Sequence, residues 1–311
     1  MVQNLLKLRV MLRNVLVLLI LKPSNLLEKK QKKIDWKDKL YLSPLTTVGN
    51  LPFRRICKEF GVDITCGEMA MASNILQGAN QEWALIKRHA TEDIFGVQVC
   101  GNNPYVLTRC AQVLQEQANI DFVDINMGCP IDLVYQQGGG CGLMRREKVL
   151  YSVVECMNDV LDIPLTIKMR TGVYSDKNTA HKLISGLCDR GVSLITVHGR
   201  SREQRYTRSA DWNYIETCAA LAGQTPLFGN GDILSYQDYV EARVSIQFDL
   251  VLHFIATYLI EKLVAEVKNV NNPCDRCQQG SSLAVLLAAL LVLREWRRAE
   301  LRLVTIRQSQ T

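Results

Sequence analysis

The run Asn126-Met127-Gly128-Cys129-Pro130 is the most specific chemical feature of this sequence. Pro130 disfavours helical geometry at Cys129, and Gly128 lets another group approach the backbone closely. A thiol held in such a turn is open to three roles: nucleophile, soft metal ligand or proton donor. No adjacent histidine is evident for the first role and no second soft ligand for the second.

Other polar side chains interrupt or end apolar runs. Gln98 lies within Ile94-Phe95-Gly96-Val97-Gln98-Val99, and Lys168 and Arg170 within Leu165-Thr166-Ile167-Lys168-Met169-Arg170. His198 and Arg200 follow Leu194-Ile195-Thr196-Val197, Asn230-Gly231-Asp232 follows Leu227-Phe228-Gly229, and Ser43-Pro44-Leu45-Thr46 follows Tyr41-Leu42. Taken singly, each has a plain structural explanation: Gln98 could bond neighbouring backbone, and His198 could be a satisfied core histidine. An ammonium buried without a partner is costly, so Lys168 needs an anion or points outward. Their joint placement points to one site.

The elements that must position them alternate regularly. Short apolar or β-branched runs predict strands at 39–42, 62–65, 94–99, 122–125, 165–169, 194–197 and 227–228. Helical periodicity predicts helices at 52–60, 103–117, 148–160, 179–190, 211–221 and 235–242. Strands alternating with helices make an α/β protein with a parallel sheet. In an open sheet, active-site groups cluster near one switch point; here they end nearly every strand, which implies a ring around one axial pocket. The expected fold is therefore a TIM (β/α)8-type barrel.

The remaining features set limits. The chain of 311 residues, 48% apolar, is long enough for one such barrel of ~250 residues. A net charge of +6 permits an anionic partner without requiring one. The 11 cysteines are odd in number and show no repeated spacing, which points to a reducing compartment, cytoplasm or nucleus. Cys57, Cys110, Cys156, Cys188 and Cys218 read as core fillers, and the lone pair Cys274 and Cys277 does not predict zinc or any other metal. The apolar runs at 15–21 and 283–293 fall short of the ~20 residues a spanning helix needs, so no stable membrane insertion is expected. The charged stretch 28–39 reads as a solvated linker. Gly138-Gly139-Gly140 matches no phosphate-binding signature and reads as a flexible loop near the mouth. The segment 198–208 carries Arg200, Arg202, Arg205 and Arg208 beside Tyr206, either as solvated surface or as an RNA-backbone contact. Lys87, Arg88 and His89 form a weaker second cluster.

Taken in order, Ser43–Thr46, Gly96–Gln98, 124–130, 168–172, 196–205 and 229–232 resemble the tRNA-dihydrouridine synthases. The stretches 51–57, 131–135 with 138–141, and 198–207 look most like the eukaryotic branch that acts in the tRNA variable loop. The resemblance implies FMN as cofactor, NADPH as reductant and a uridine of tRNA as substrate, reduced to 5,6-dihydrouridine. It places Pro44, Leu45 and Thr46 against the flavin and Gln98 at its pyrimidine edge. Lys168 would hold positive charge near the ring, His198 would contact the flavin or its phosphate tail, and Asn230, Gly231 and Asp232 would hold ribityl and phosphate. Hydride would pass from flavin N5 to C6 of the uracil, with Cys129 giving the proton to C5. Asn126 would orient the base or the flavin, Arg170 would bind uracil or a nearby phosphate, and Arg200, Arg202 and Arg205 would contact RNA.

After Ala242 the resemblance stops. The family adds an eighth strand with a Gly/Arg-bearing phosphate loop and then a helical domain, whereas 244–255 holds neither glycine nor arginine. The expectation is an N-terminal extension and linker at 1–37, an FMN-binding barrel at 38–243, and a divergent, partly helical segment at 244–311. The eighth strand and C-terminal helical domain are then altered or incomplete, which predicts weakened FMN retention. The competing functions are a flavin-barrel dehydrogenase of small pyrimidines and a catalytically impaired RNA-binding relative.

Overall fold

Alternation along each strand decides which side chains meet the helices and which turn inward. In the segment Phe122–Met127, Val123, Ile125 and Met127 join a large apolar cluster with helical residues, while Phe122 belongs to a separate interior cluster. Asp124 and Asn126 share the inward face with Phe122. A computed structural model of the chain describes residues 32–233 and Asp238. The described residues from Lys33 onward belong to one compact unit.

The strands are β1 (Tyr41–Leu42), β2 (Ile64–Cys66), β3 (Ala70–Met71), β4 (Ile94–Cys100), β5 (Phe122–Met127), β6 (Leu165–Arg170), β7 (Leu194–His198) and β8 (Leu227–Asn230). They form one sheet in the order β1-β2-β4-β5-β6-β7-β8, with β3 added beside β4. Every pairing is parallel. The crossovers are α1 (Leu51–Glu59), α2 (Ala72–Leu76), α3 (Asn80–Leu85), α4 (Pro104–Gln117), α5 (Asp132–Gln136), a 3-10 turn (Gly140–Arg145), α6 (Glu147–Val160), α7 (His181–Cys188) and α8 (Trp212–Ala222). Side-chain oxygens start several of them. Asn50 caps α1 at Phe53 N, 3.1 Å away, Asn103 caps α4 ahead of Pro104, and Asp211 caps α8 at Tyr214 N, 2.9 Å away. Among the described residues no helix is long and apolar enough to cross a membrane.

The sheet curls into a barrel wall. Tyr41, Ile64, Cys66, Phe122, Leu194 and Phe228 fill its interior, and Trp36 packs edge-on against Phe122 with ring centroids 5.5 Å apart. Trp36 corrects the reading of 28–39 as wholly solvated: it is buried and closes the end of the barrel opposite the strand C-termini. Gly96 makes room for the Phe122 ring, since a Cβ there would lie 2.2 Å from it.

The seven predicted strands and five of the predicted helices are present with shifted ends. The short elements β3, α2, α3 and α5 were not predicted. The helix at 235–242 and everything expected of 244–311 lie outside the described residues, apart from Asp238.

Candidate active site at the strand C-termini

Asn126 builds the turn that carries the cysteine. Its Oδ1 accepts from the N–H of Gly128 at 3.1 Å and of Cys129 at 2.8 Å. This holds Cys129 directly above the C-terminal end of β5, in a small cluster with Cys100 and Val134 that Met69 and Met71 cover. Burial pushes the Cys129 thiol above its ordinary value, against the smaller opposing effects of the Ile131 N–H and of Arg170 and Arg202. The sulfur is therefore a protonated thiol at neutral pH, which favours the proton-donor role over the nucleophile. Among the described residues, no group of three ligand-type side chains is placed to hold a metal ion.

The glycine run does not behave as a flexible loop. Gly140, with φ 52°, packs under Cys129, where a Cβ would lie 2.9 Å from the Cys129 carbonyl oxygen. A Cβ at Gly139 would lie 3.5 Å from Cys100 Sγ. The run is a buried turn that supports the cysteine from behind.

Beside β5, the amide of Gln98 is bonded at both ends. Its Nε2 donates to Asp124 at 2.7 Å and its Oε1 accepts from Asn126 Nδ2 at 2.7 Å. Asp124 also accepts from Thr166 Oγ1 at 2.6 Å. Burial raises the Asp124 carboxyl to about 6, with Thr166, Gln98 and Lys168 acting the other way. Lys168 stands opposite Asn126 in the register and turns inward. Burial lowers its ammonium to about 8, helped by Arg170 and opposed by Asp124. Among the described residues Lys168 makes no hydrogen bond or ion pair. Arg170 is buried and bonds the carbonyls of Gly128 at 2.9 Å and Ser201 at 3.0 Å.

His198 and Asn230 are register partners on β7 and β8. Among the described residues, both amide atoms of Asn230 are buried without a hydrogen-bond partner, as is the hydroxyl of Ser43 beyond β1. After Ser43 the chain turns through Pro44, Leu45 and the exposed Thr46, and Glu68 accepts from the N–H of Thr47 at 2.5 Å. Gly231 takes φ 121° and Asp232 φ 61°, so the chain bends sharply past β8. Asp232 is already engaged, through Arg200 and through the N–H of Ala210 at 2.7 Å.

The arginine run does not act as one cluster. Arg200 is buried, paired to Asp232, and 3.3 Å from Nε2 of His198. It is withdrawn from the surface where an RNA contact was expected. Arg202 pairs with Asp132 and lies over the Tyr135 ring, 3.9 Å from its centroid. Arg205, Tyr206 and Arg208 are exposed. The Tyr206 ring sits 6.1 Å from His198 and 6.0 Å from Arg170, over the inward-facing groups.

The Lys87–His89 cluster is misplaced for any role here. Arg88 bonds the carbonyls of Glu92 and Asp93 and pairs with Asp121, just before β4 and β5. It therefore lies at the N-terminal end of the strands. The sequence expectations gave no role to Asp124, although it lies in the 124–130 motif, and did not include the buried pair Arg54 and Glu92. Asp124 sat two residues before Asn126 in the same apolar run, which was a usable signal. Arg54 and Glu92 form a fully buried pair at 2.8 Å, and Arg54 also holds the Gly49 carbonyl behind the 43–49 loop.

Comparison with known proteins places this geometry in context. Residues 41–249 match the family described as dihydrouridine synthase (Dus). A Xenopus tropicalis protein named tRNA-dihydrouridine(47) synthase (NAD(P)+)-like is 64% identical over 209 residues, 67% of this chain and 33% of the relative. The Homo sapiens protein of the same name is 61% identical over 67% of this chain and 32% of its own length. The Oryza sativa protein is 50% identical over 68% of this chain and 31% of its own. The chain thus spans only about a third of the length of these relatives. A solved structure of morphinone reductase in complex with tetrahydroNAD superposes with a TM-score of 0.51 at 13% identity, over 76% of this chain and 89% of that one, and shares the fold.

Proposed function

Because the chain belongs to the dihydrouridine synthase family, we propose that it reduces a uridine of tRNA to 5,6-dihydrouridine, with FMN as cofactor and NADPH as reductant. One observation carries the reading: buried polar groups at the strand ends have no hydrogen-bond partner among the described residues. Asn230 has two such atoms and Ser43 one; Lys168, half-buried on the inward face of β6, has no ion pair among the described residues. Buried polar groups are almost always satisfied, so orphans converging on one mouth fit a polar, anionic group that completes them.

The chemistry that FMN would supply when bound there, with NADPH as reductant, is hydride for C6 of the uracil. Asn230 and the bent backbone at Gly231 would hold the ribityl and phosphate end. Asp232 contributes by fixing Arg200, which keeps a positive charge beside His198 at that end. Lys168 would face the electron-rich side of the ring. Gln98 retains one N–H and one lone pair for the pyrimidine edge, since its protein bonds use only one of each. Pro44, Leu45 and Thr46 would flank the ring from the loop beyond β1.

Cys129 holds a proton on Sγ at neutral pH and delivers it to C5 of the uracil as general acid. Arg170 and Arg202 favour the thiolate left behind, because both act to lower the thiol. Asn126 keeps the Cys129 backbone in place, and Arg170 would meet the base or its phosphate. A base within folded RNA must be flipped out to reach such a pocket. Arg205, Arg208 and Tyr206, exposed at the mouth, suit the RNA backbone and the displaced base.

The test begins with the visible absorption of the purified chain. Flavin bands that are released on denaturation and match FMN, followed by NADPH-dependent dihydrouridine in tRNA, are the expected results. A colourless protein that fails to take up added FMN overturns the reading. Turnover of free uridine without tRNA would redirect it to a small pyrimidine substrate.

A further inference from the structure

Asp124 has no role in the cofactor or substrate contacts proposed above, yet it begins a chain of hydrogen bonds that ends at the catalytic turn. A carboxylate only accepts, so Gln98 must turn Nε2 toward Asp124 and Oε1 away from it. Oε1 in turn obliges Asn126 to present Nδ2. That leaves Asn126 Oδ1 for the N–H groups of Gly128 and Cys129, which can only donate. The two ends agree: an acceptor at Asp124 and donors at Cys129 allow one orientation of both amides. Thr166 Oγ1, at 2.6 Å, holds the other carboxylate oxygen, so Asp124 is itself fixed.

We infer that Asp124 is a positioning residue whose carboxylate sets the orientation of the Gln98 and Asn126 amides and, through them, the place of the Cys129 backbone. The inference rests on the reading of Cys129 as proton donor, but its geometric core stands apart from catalysis. Each link joins side chains that point the same way from β4, β5 and β6, in a register that sets Gln98 opposite Asp124 and Asp124 opposite Thr166. The chain also couples the two functions of the pocket. The amide proposed for the flavin edge and the turn proposed for the proton share one anchor.

Hydrogen–deuterium exchange of the full chain reads the relay without any turnover. In Asp124→Ala, a peptide covering Gly128 and Cys129 is expected to exchange about tenfold faster, equivalent to ~1.4 kcal/mol. Peptides covering β6 and β7 should keep their protection. Asp124→Asn is expected to restore slow exchange, because its Oδ1 still accepts from Gln98 while its Nδ2 donates to Thr166. If Asp124→Ala does not fold, Gln98→Met breaks the same relay at its centre and is expected to give the same local increase. Unchanged exchange at Gly128 and Cys129 in a folded variant, or an equal increase across the whole sheet, overturns the inference. With tRNA, Asp124→Ala should lower kcat and leave KM for tRNA nearly unchanged. A chain that shows the exchange pattern but reduces no uridine would keep the relay and refute the proposed function.

Discussion

The ring of Tyr41 lies 6.2 Å from that of Phe228, so the first and last strands of the sheet path meet through their inward side chains. Phe122 touches Tyr41 from the middle of the sheet, with centroids 6.0 Å apart. A sheet that brings both ends of its path to one aromatic cluster has curled on itself, and this curl gathers the strand C-termini around one mouth.

Phe228→Ala is therefore expected to destabilise the chain by ~3–5 kcal/mol, the usual range for emptying a buried aromatic site. Urea unfolding followed by intrinsic fluorescence measures it. A loss under ~1 kcal/mol would mean that the two ends of the sheet do not rely on this contact.

Asp124 makes stability depend on pH in a defined direction. Burial raises its carboxyl from 3.8 to about 6. A group raised on folding adds stability below its unfolded value and loses it as pH climbs through the folded value. Compared with Asp124→Asn, the wild-type chain should lose stability between about pH 4 and pH 6 and then level off. Urea midpoints of both chains across that range test this; parallel curves would contradict it.

Lys168 works in the opposite window. Its ammonium is lowered by burial from 10.5 to about 8, so the folded chain sheds this proton before the unfolded chain does. Stability attributable to Lys168 should rise as pH climbs above about 8, and Lys168→Met should lack that rise. Chemical denaturation between pH 7 and pH 10, on the order of the window where the two forms differ, reads it directly.

Part of this was legible in one sequence, and the reason is physical. A strand with one face on helices and one on a pocket alternates, so Asp124 and Asn126, or Thr166 and Lys168, stand out within apolar runs. Ala70–Met71 is too short to show a period, and α2 follows it without a capping side chain. The role of Gly140 depends on Cys129, which folds back over it, and neither residue reveals that contact alone. The arginines after β7 read as one charge run because their sequence is continuous. Asp232, far along the chain, draws Arg200 inward, while Arg205 and Arg208 stay outside.

That division predicts how tRNA binding responds to salt. Arg205→Ala and Arg208→Ala should each weaken binding and reduce the steepness of its salt dependence by about one unit. Arg88→Ala, at the far end of the strands, should leave the salt dependence unchanged. Filter binding of tRNA over a range of salt concentrations decides it, and an equal effect from Arg88→Ala would move the RNA surface elsewhere.

The central claim is that Cys129 gives its proton to the reduced base. The most direct test is a single-turnover comparison of FMN-loaded, NADPH-reduced wild-type chain with Cys129→Ala, counting dihydrouridine in tRNA. The account predicts unchanged flavin reduction and tRNA binding in the variant, with dihydrouridine formation slowed at least ~100-fold, as loss of a general acid gives. A variant that forms dihydrouridine at the wild-type rate would show that the proton comes from another group.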